Sequence, residues 1–269
     1  MIMRQTPQQS YAKIRSILFA GATIISVFTL TPCAYADDAT VLRLGIVSFL
    51  SGPAAGPFGV PAANAAKMMV DALNAGHVPS PYEAIGIAGA QVEAIMVDEA
   101  GGVTKQVIEF RNMIQRRGVD VVIGYISSGS CLGIAPVAEE MKVLTIFHTC
   151  GTPRIFEEGN YRYVFRTASH SAMDGIGAAR YLIDRFPDLK TYAGINQNYA
   201  WGHDSWRDFE GALRILKPDL QFKTHQLPKL FAGQYNAEIS ALLVSRSEAI
   251  HSSLFGGDLE AFTFQATAP

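Results

Sequence analysis

Short apolar runs separated by helix-length amphipathic segments recur along most of this chain. Residues 42–49 (LRLGIVSF), 92–97, 119–123 and 143–147 are rich in branched and aromatic side chains and bounded by turn residues, which predicts four strands. Between the first two, residues 62–74 place Ala62, Ala66, Met69 and Leu73 at helical spacing, with Gly76 just beyond as a C-terminal stop. A Gly/Pro-rich loop (LSGPAAGPFGVP) precedes that helix, and a loop of turn residues, 77–89, follows it. A second helix is expected from a Thr104 cap to Gly118, facing Val107, Phe110 and Ile114 inward. A third lies between the strands at 119–123 and 143–147. Strand, loop and helix in repetition predict a doubly wound parallel sheet.

Near Tyr161 the rhythm restarts. Residues 163–167 read as extended, and 172–186 as a helix with Ile176, Ala179, Leu182, Ile183 and Phe186 on one side. Strands are expected at 191–195, 222–227 and 250–255. Helices are expected from an Asp204 cap through Trp206, Phe209, Leu213 and Leu216, and over 235–246. The pattern divides into a first α/β lobe at 41–166 and a second at 167–269, with strand ends facing each other across a cleft. The last stretch, GGDLEAFTFQATAP, begins like the turn into another helix. Three or four strands with no closing element leave an open sheet edge, so the second lobe reads as incomplete and the chain as a truncated form of a longer one.

The first 36 residues stand outside this pattern. Arg4, Lys13 and Arg15 precede a 14-residue apolar run, ILFAGATIISVFTL, and then the small-x-small site Ala34-Tyr35-Ala36. That is the pattern of a secretory signal peptide cut after Ala36. The run is short for a membrane span, which needs about 20 residues. Cys33 raises lipoprotein anchoring as an alternative, against which Pro32 fits poorly. Removal of those three basic residues makes the net charge of −2 more negative and leaves no basic cluster, which argues against nucleic acid and anionic membrane as partners. Cys131 and Cys150 would remain; an exported chain permits a disulfide between them, and two buried thiols fit equally well.

Candidate chemistry concentrates at residues 119–153. Ligands of parallel sheets sit beyond the carboxyl ends of the strands, where residues 127–130 (SSGS) and 149–152 (TCGT) would lie. These loops are rich in donors and free of carboxylates. With the positive end of a helix dipole they suit an anion, although Ser128 or Ser130 could equally serve as a helix cap. Trp201 and Tyr199, on the expected loop 196–204, could wall a pocket or pack the lobe, and Phe58 has the same two readings. Asp98 and Glu99, at a strand end, could bind an ammonium, cap a turn or be solvated. GYISSG is one residue too long for a G-x-S-x-G nucleophile elbow. His148, His170 and His203 lack metal-ligand spacing, and no dinucleotide or phosphate-loop motif occurs. No cofactor is expected.

A family resemblance is carried by LGIVSFLSGPAAGPFG at 44–59, VDEAGG at 97–102, VDVVIGYISSGS at 119–130, VLTIFHTCGTPRIF at 143–156, YRYVFRT at 161–167, NQNYAWG at 196–202 and SLFGGDLEAF at 253–262. In order and spacing the chain resembles the extracytoplasmic solute-binding proteins of ABC importers, branched-chain amino-acid type. The resemblance implies the type I periplasmic binding fold, two Rossmann-like lobes closing over a solute, with no catalysis. It implies delivery of that solute to an ABC permease in the inner membrane, from the periplasm, by a protein that is a monomer when complete. By position it places Ser128, flanked by Ser127 and Ser130, and then Thr149, Cys150 and Gly151 on the ligand carboxylate. Trp201, with Tyr199 near it, becomes the second-lobe aromatic. Gly151 falls where the family often has a hydroxyl residue, so Thr149 or Thr152 would have to supply that bond. The family's chain continues further and there carries an acid for the ligand's ammonium; Asp258 lies near an expected cleft position. The readings set beside a binder of an amino acid or related amide or carboxylate are a periplasmic serine hydrolase using Ser128 or Ser130, and a ligand-sensing subunit of a membrane receptor.

Overall fold

The computed structural model describes residues 41–267. Segment 1–36, read from the sequence as a signal peptide, lies outside the described residues, Cys33 included. Five parallel strands form the first sheet: β1 (Val41–Ser48), β2 (Gln91–Asp98), β3 (Val121–Gly124), β4 (Leu144–Phe147) and β5 (Val164–Arg166), in the order β2-β1-β3-β4-β5. Helices α1 (Val60–Asn74), α2 (Gly102–Arg117), α3 (Ser128–Met141) and the short α4 (Arg154–Glu157) follow the first four strands. The first chain crossing goes outward from β1 to β2 and the next returns to the other side of β1, so the direction of winding reverses between β1 and β3.

Alternation along β1 sorts its side chains to two covered faces. Leu44 and Ile46 meet Val70 of α1 and Val92 of β2 on one face. Val47 belongs to the larger cluster on the other face, with Phe110 and Met113 of α2, Ile134 of α3 and Phe147 of β4. Burial on both faces explains why the second half of β1 reads as a continuous apolar run. Two helix details differ from the sequence expectation. The buried stripe of α1 is Ala63 and Val70, and Met69 is half exposed, because the contact is set by Val70 against β1 and β2. Helix α2 begins at Gly102 with Gly101 as its N-cap, so Thr104 lies inside it.

The second sheet has three parallel strands, β6 (Thr191–Ile195), β7 (Gln221–Gln226) and β8 (Ala249–Ser252), in the order β7-β6-β8. With it come α5 (Ser171–Arg185), α6 (Ala200–Leu216), α7 (Asn236–Ser245) and α8 (Gly256–Ala266). On one face Tyr192 packs with Ala179, Trp206, Phe209 and Leu213. On the other, Ala193 and Ile195 pack with Tyr235, Leu242 and Leu254. Of the expected stripe of α5, Ala179, Leu182 and Ile183 pack into this cluster, whereas Ile176 and Phe186 are exposed and Ser171 and Gly175 are buried in their place. Gly175 lies against the Phe209 backbone, so α5 and α6 approach more closely than a branched residue there would allow. Asp204 sits within α6 and does not cap it, and Leu216 is exposed. Among the described residues no helix is long and apolar enough to cross a membrane.

One row of the second sheet is built around the indole of Trp206. Gly194 is in register with His225 of β7 and His251 of β8. A Cβ on Gly194 would come within 2.4 Å of the Trp206 ring, so only glycine lets the indole lie down on the sheet. His225 stacks on Trp206 at 4.3 Å between centroids, and His251 stacks on Phe209 at 4.2 Å. Burial pushes both imidazoles down from an ordinary value of 6.5 to about 4. Below pH 6.5 the unfolded chain takes up protons that the folded chain refuses. This contribution to stability is therefore complete above pH 6.5 and is lost as the pH falls toward 4. Thermal unfolding of His251→Phe is expected to show a smaller drop in Tm between those limits than wild type, by roughly half of the part that the two imidazoles contribute. An unchanged acid slope would contradict the assignment.

Candidate functional site

The loops that leave the carboxyl ends of the strands meet around a cavity of about 250 Å³. The first sheet contributes Ile126 and Ser128 after β3 and Thr149 and Gly151 after β4, while Phe58 comes from the turn before α1. The second half of the chain contributes Ala168, Ser169 and Asp174 at the start of α5, Tyr199 and Trp201 at the start of α6, and Phe255 at the start of α8. Strands that run parallel bring their outgoing loops to one edge, which is why residues distant in sequence converge.

The loop after β3 is held by its own capping. Ser127 is the N-cap of α3, its Oγ accepting the Ser130 N–H at 3.4 Å. Ser128 is therefore the first helical residue, where backbone N–H groups have no partner within the helix. Of the three serines, Ser128 lines the cavity. Ser127 and Ser130 face a neighbouring hollow beside Glu99 and the loop 49–54.

The loop after β4 is fastened from three sides. Cys150 is buried and forms a disulfide with Cys131 in the first turn of α3, the two Cα atoms 6.4 Å apart. That places the sulfur in the wall's support and away from the cavity. The Arg166 guanidinium, at the end of β5, donates to the carbonyl oxygens of Cys150 and Thr152. The Thr152 hydroxyl donates to the buried Asp204 carboxylate of α6 at 2.6 Å. Thr152 is thus committed to the contact between the two halves, and Thr149 is the hydroxyl residue of this loop that lines the cavity.

Trp201 presses directly on Gly151. A Cβ at residue 151 would lie 2.2 Å from Cζ3 of the indole, and the indole N–H is held by the Ser253 carbonyl at 3.2 Å. Helix α6 starts at Ala200, so Trp201 stands in its first turn and Tyr199 is its N-cap, where a longer loop was expected. The aromatic wall is completed across the cleft. Phe58 meets Phe255 edge-on at 5.4 Å, and Tyr199 is 6.4 Å from Phe255. The loop carrying Phe58 is tied to β1 by the Ser48 hydroxyl, which donates to the Gly59 carbonyl.

The cavity is apolar at its walls and electropositive at its ends. Residues at the amino ends of four helices, α3, α5, α6 and α8, line it. Each such end carries a partial positive charge and orphan N–H groups, so together they favour an anionic group without a lysine or arginine. The charged residue in the lining is Asp174, in the first turn of α5. A small anion with an apolar or aromatic body fits this combination.

The acids named from the sequence are placed elsewhere. Asp258 is buried, accepts from Gln197 Nε2 at 2.7 Å and from the Phe231 N–H at 2.9 Å, and does not line the cavity. It fastens two loops to α8. Asp98 accepts from the Ser51 hydroxyl and from the N–H groups of Leu50, Ser51 and Ala100. Partial burial pushes its carboxyl up, but these bonds outweigh that and hold it below the usual carboxylate range. Of the lining residues, Ile126, Ala168, Ser169, Asp174 and Phe255 were not anticipated. The strand-end rule would have found most of them had it been applied after β5 and β8 as it was after β3 and β4.

Two facing α/β halves with a cavity at their strand ends define the type I periplasmic binding fold. Residues 41–268 match the family described as periplasmic binding protein, and the chain belongs to that family. Among its curated relatives, the Leu/Ile/Val-binding protein of Rhizobium johnstonii is 26% identical over 256 residues, covering 88% of this chain and 65% of the relative. The leucine-, isoleucine-, valine-, threonine- and alanine-binding protein of Pseudomonas aeruginosa is 28% identical over 247 residues, covering 90% of this chain and 59% of the relative. This chain therefore spans about three fifths of the length of the relatives it matches. A solute-binding protein of R. palustris, solved with benzoate, shares the fold with a TM-score of 0.73 at 18% identity, over 84% of this chain and 59% of that one.

The contact between Gly151 and Trp201 is directly testable. Gly151→Ala must displace an indole that is pinned at its nitrogen, and the expected cost is about 1–3 kcal/mol of stability. Trp201→Leu in the same chain should recover about 1 kcal/mol or more of that cost in a double-mutant cycle followed by urea unfolding. A Gly151→Ala chain as stable as wild type would remove this contact from the wall.

Proposed function

We propose that this protein captures a small carboxylate, an amino acid or a related organic acid or amide, between its two lobes and delivers it to an ABC permease. The observation that carries the reading is the cavity where four helix amino ends meet an aromatic wall drawn from both halves. The carboxylate would sit at the Ser128 and Thr149 end, held by hydroxyl and backbone donors. The apolar body would lie among Phe58, Tyr199, Trp201 and Phe255. Relatives named for leucine, isoleucine and valine, and the neighbour holding benzoate, take solutes of this general form, a carboxylate on an apolar body. Asp174 is the acid available to an ammonium group, so an amino acid and an aromatic acid would differ in their use of that one residue.

Family membership supports a periplasmic setting, and in this reading residues 1–36 are the export signal. The lobes divide near residue 166, with five strands before that point and three after it. Binding is favoured over hydrolysis because nothing in the cavity lining pairs a histidine with Ser128 to activate it. A receptor-sensing role would use the same cavity and differ in its partner.

Ser128→Ala is expected to weaken binding by about 1–3 kcal/mol, the scale of one hydrogen bond to a charged group. The measurement is titration calorimetry with L-leucine, L-isoleucine, benzoate and 4-hydroxybenzoate, after a thermal-shift screen of the same solutes. Turnover of an ester by the wild-type chain, abolished in Ser128→Ala, would replace the binding reading with the hydrolytic one.

A further inference from the structure

Behind the wall made by Ile126 and Ser128 lies a carboxylate with no assigned role in binding. Glu99, just beyond β2, is 1% exposed. Its backbone N–H donates to the carbonyl of Ser48 at the end of β1, and its side chain reaches past that strand to the loop after β3. There one carboxylate oxygen accepts the Ile126 N–H and the other the Ser127 N–H, both at 2.8 Å. Among the described residues no ion pair includes it. The titratable groups facing it are Asp98 from the same strand end, Tyr125 from the loop after β3 and Tyr199 from α6. Farther out, Asp258 of α8 faces Tyr199, and the Lys105 amine of α2 is bound to the Ala100 carbonyl.

We propose that Glu99 is a positioning residue of the solute site, and that a carboxylate solute docking at the amino end of α3 is taken up together with a proton on Glu99. The inference rests on the carboxylate-binding reading above. Its physical basis is competition at one helix end. The charged Glu99 already holds the Ile126 and Ser127 N–H groups, which fixes the turn that presents Ser128 to the cavity. A second anion at Ser128 would place two carboxylates against the same dipole with no cation between them, and like charges raise each other's proton affinity. Burial has already pushed Glu99 up to about 7, against the pull of its N–H donors and the Ser130 hydroxyl. In the neutral form the Ser130 hydroxyl can rotate to accept from the new carboxyl O–H, while the carbonyl oxygen still accepts one backbone N–H. The balance is one proton from bulk water to Glu99 in each molecule whose Glu99 is charged before the solute binds, with no other bond changed.

Binding that takes up a proton strengthens as the pH falls, so affinity for a carboxylate solute should rise about three- to tenfold from pH 8 to pH 6. The test is calorimetry of the full chain with benzoate and L-leucine near pH 7, in two buffers of different ionisation enthalpy. Up to about half a proton should be taken up per solute bound, because a group with a midpoint near 7 is already half protonated at that pH. In Glu99→Gln the uptake should vanish and the affinity should become flat with pH. Should that variant fail to fold, carbon-13 NMR of the wild-type glutamate carboxyls decides: the Glu99 midpoint should lie near 7 and move upward when either probe is added. Binding of both probes with no net proton uptake, or a Glu99 midpoint near 4.5, would overturn the link and leave the carboxylate reading standing. Failure of both probes to bind from pH 5.5 to pH 8 would overturn that reading, and the link with it.

Discussion

A parallel sheet delivers every strand's outgoing loop, and the amino end of the helix after it, to the same edge. Both sheets of this protein are parallel throughout, and their outgoing edges meet. From that one geometric constraint follow the position of the cavity, its electropositive character and the mixed origin of its walls. The amino ends of α3, α5, α6 and α8 reach the cavity because each follows a parallel strand. Anion capture needs no cation in such a place, since oriented peptide dipoles and orphan N–H groups supply the field.

What joins the two halves at the cleft is of two kinds. The buried bond from Thr152 to Asp204 involves a carboxylate, and bonds of that class contribute about 1.5–3 kcal/mol. Arg154 lies 3.6 Å from the same carboxylate, but it is partly exposed and adds little. The second kind is apolar: Trp201 on Gly151 and Phe58 against Phe255. These apolar contacts belong to the cavity's own walls, so whatever fills the cavity acts on the same surfaces that hold the halves together. In the proposed reading, filling the cavity is therefore coupled to the contact between the halves.

Neighbouring acids in this protein take opposite electrostatic roles according to their donors. Asp98 is only partly buried and collects four hydrogen bonds, so its charge is favoured. Glu99, one residue on, has its two N–H donors but is almost wholly desolvated, and its charge is disfavoured. The histidines of the second sheet are held neutral for the same reason as Glu99 is easily protonated: water is excluded, and for His225 the pull of Glu210 is too weak to replace it.

The succession of strands and longer helices and the parallel habit of both sheets were legible in the chain, because burial on two faces writes itself as short apolar runs spaced by amphipathic helices; the four-residue α4 was not. The strand-end rule pointed to the loops of Ser128, Thr149 and Gly151, the family resemblance picked out Trp201 and Tyr199, and Phe58 stood open between wall and packing; the structure brings all six to one cavity. Which side chains of a loop turn toward that cavity was beyond a linear reading. Ser127 and Ser130 differ from Ser128 only by their angle about the axis of α3, Cys150 is drawn inward by its bond to Cys131, and Asp258 is claimed by Gln197 and Phe231. The same limit set the edges of the buried stripes of α1 and α5, where the approach of a neighbouring element added Val70 and Gly175 and left Met69, Ile176 and Phe186 exposed. Local pattern depends on each residue's own transfer free energy and conformational preference, whereas orientation within a site depends on partners that only folding brings near.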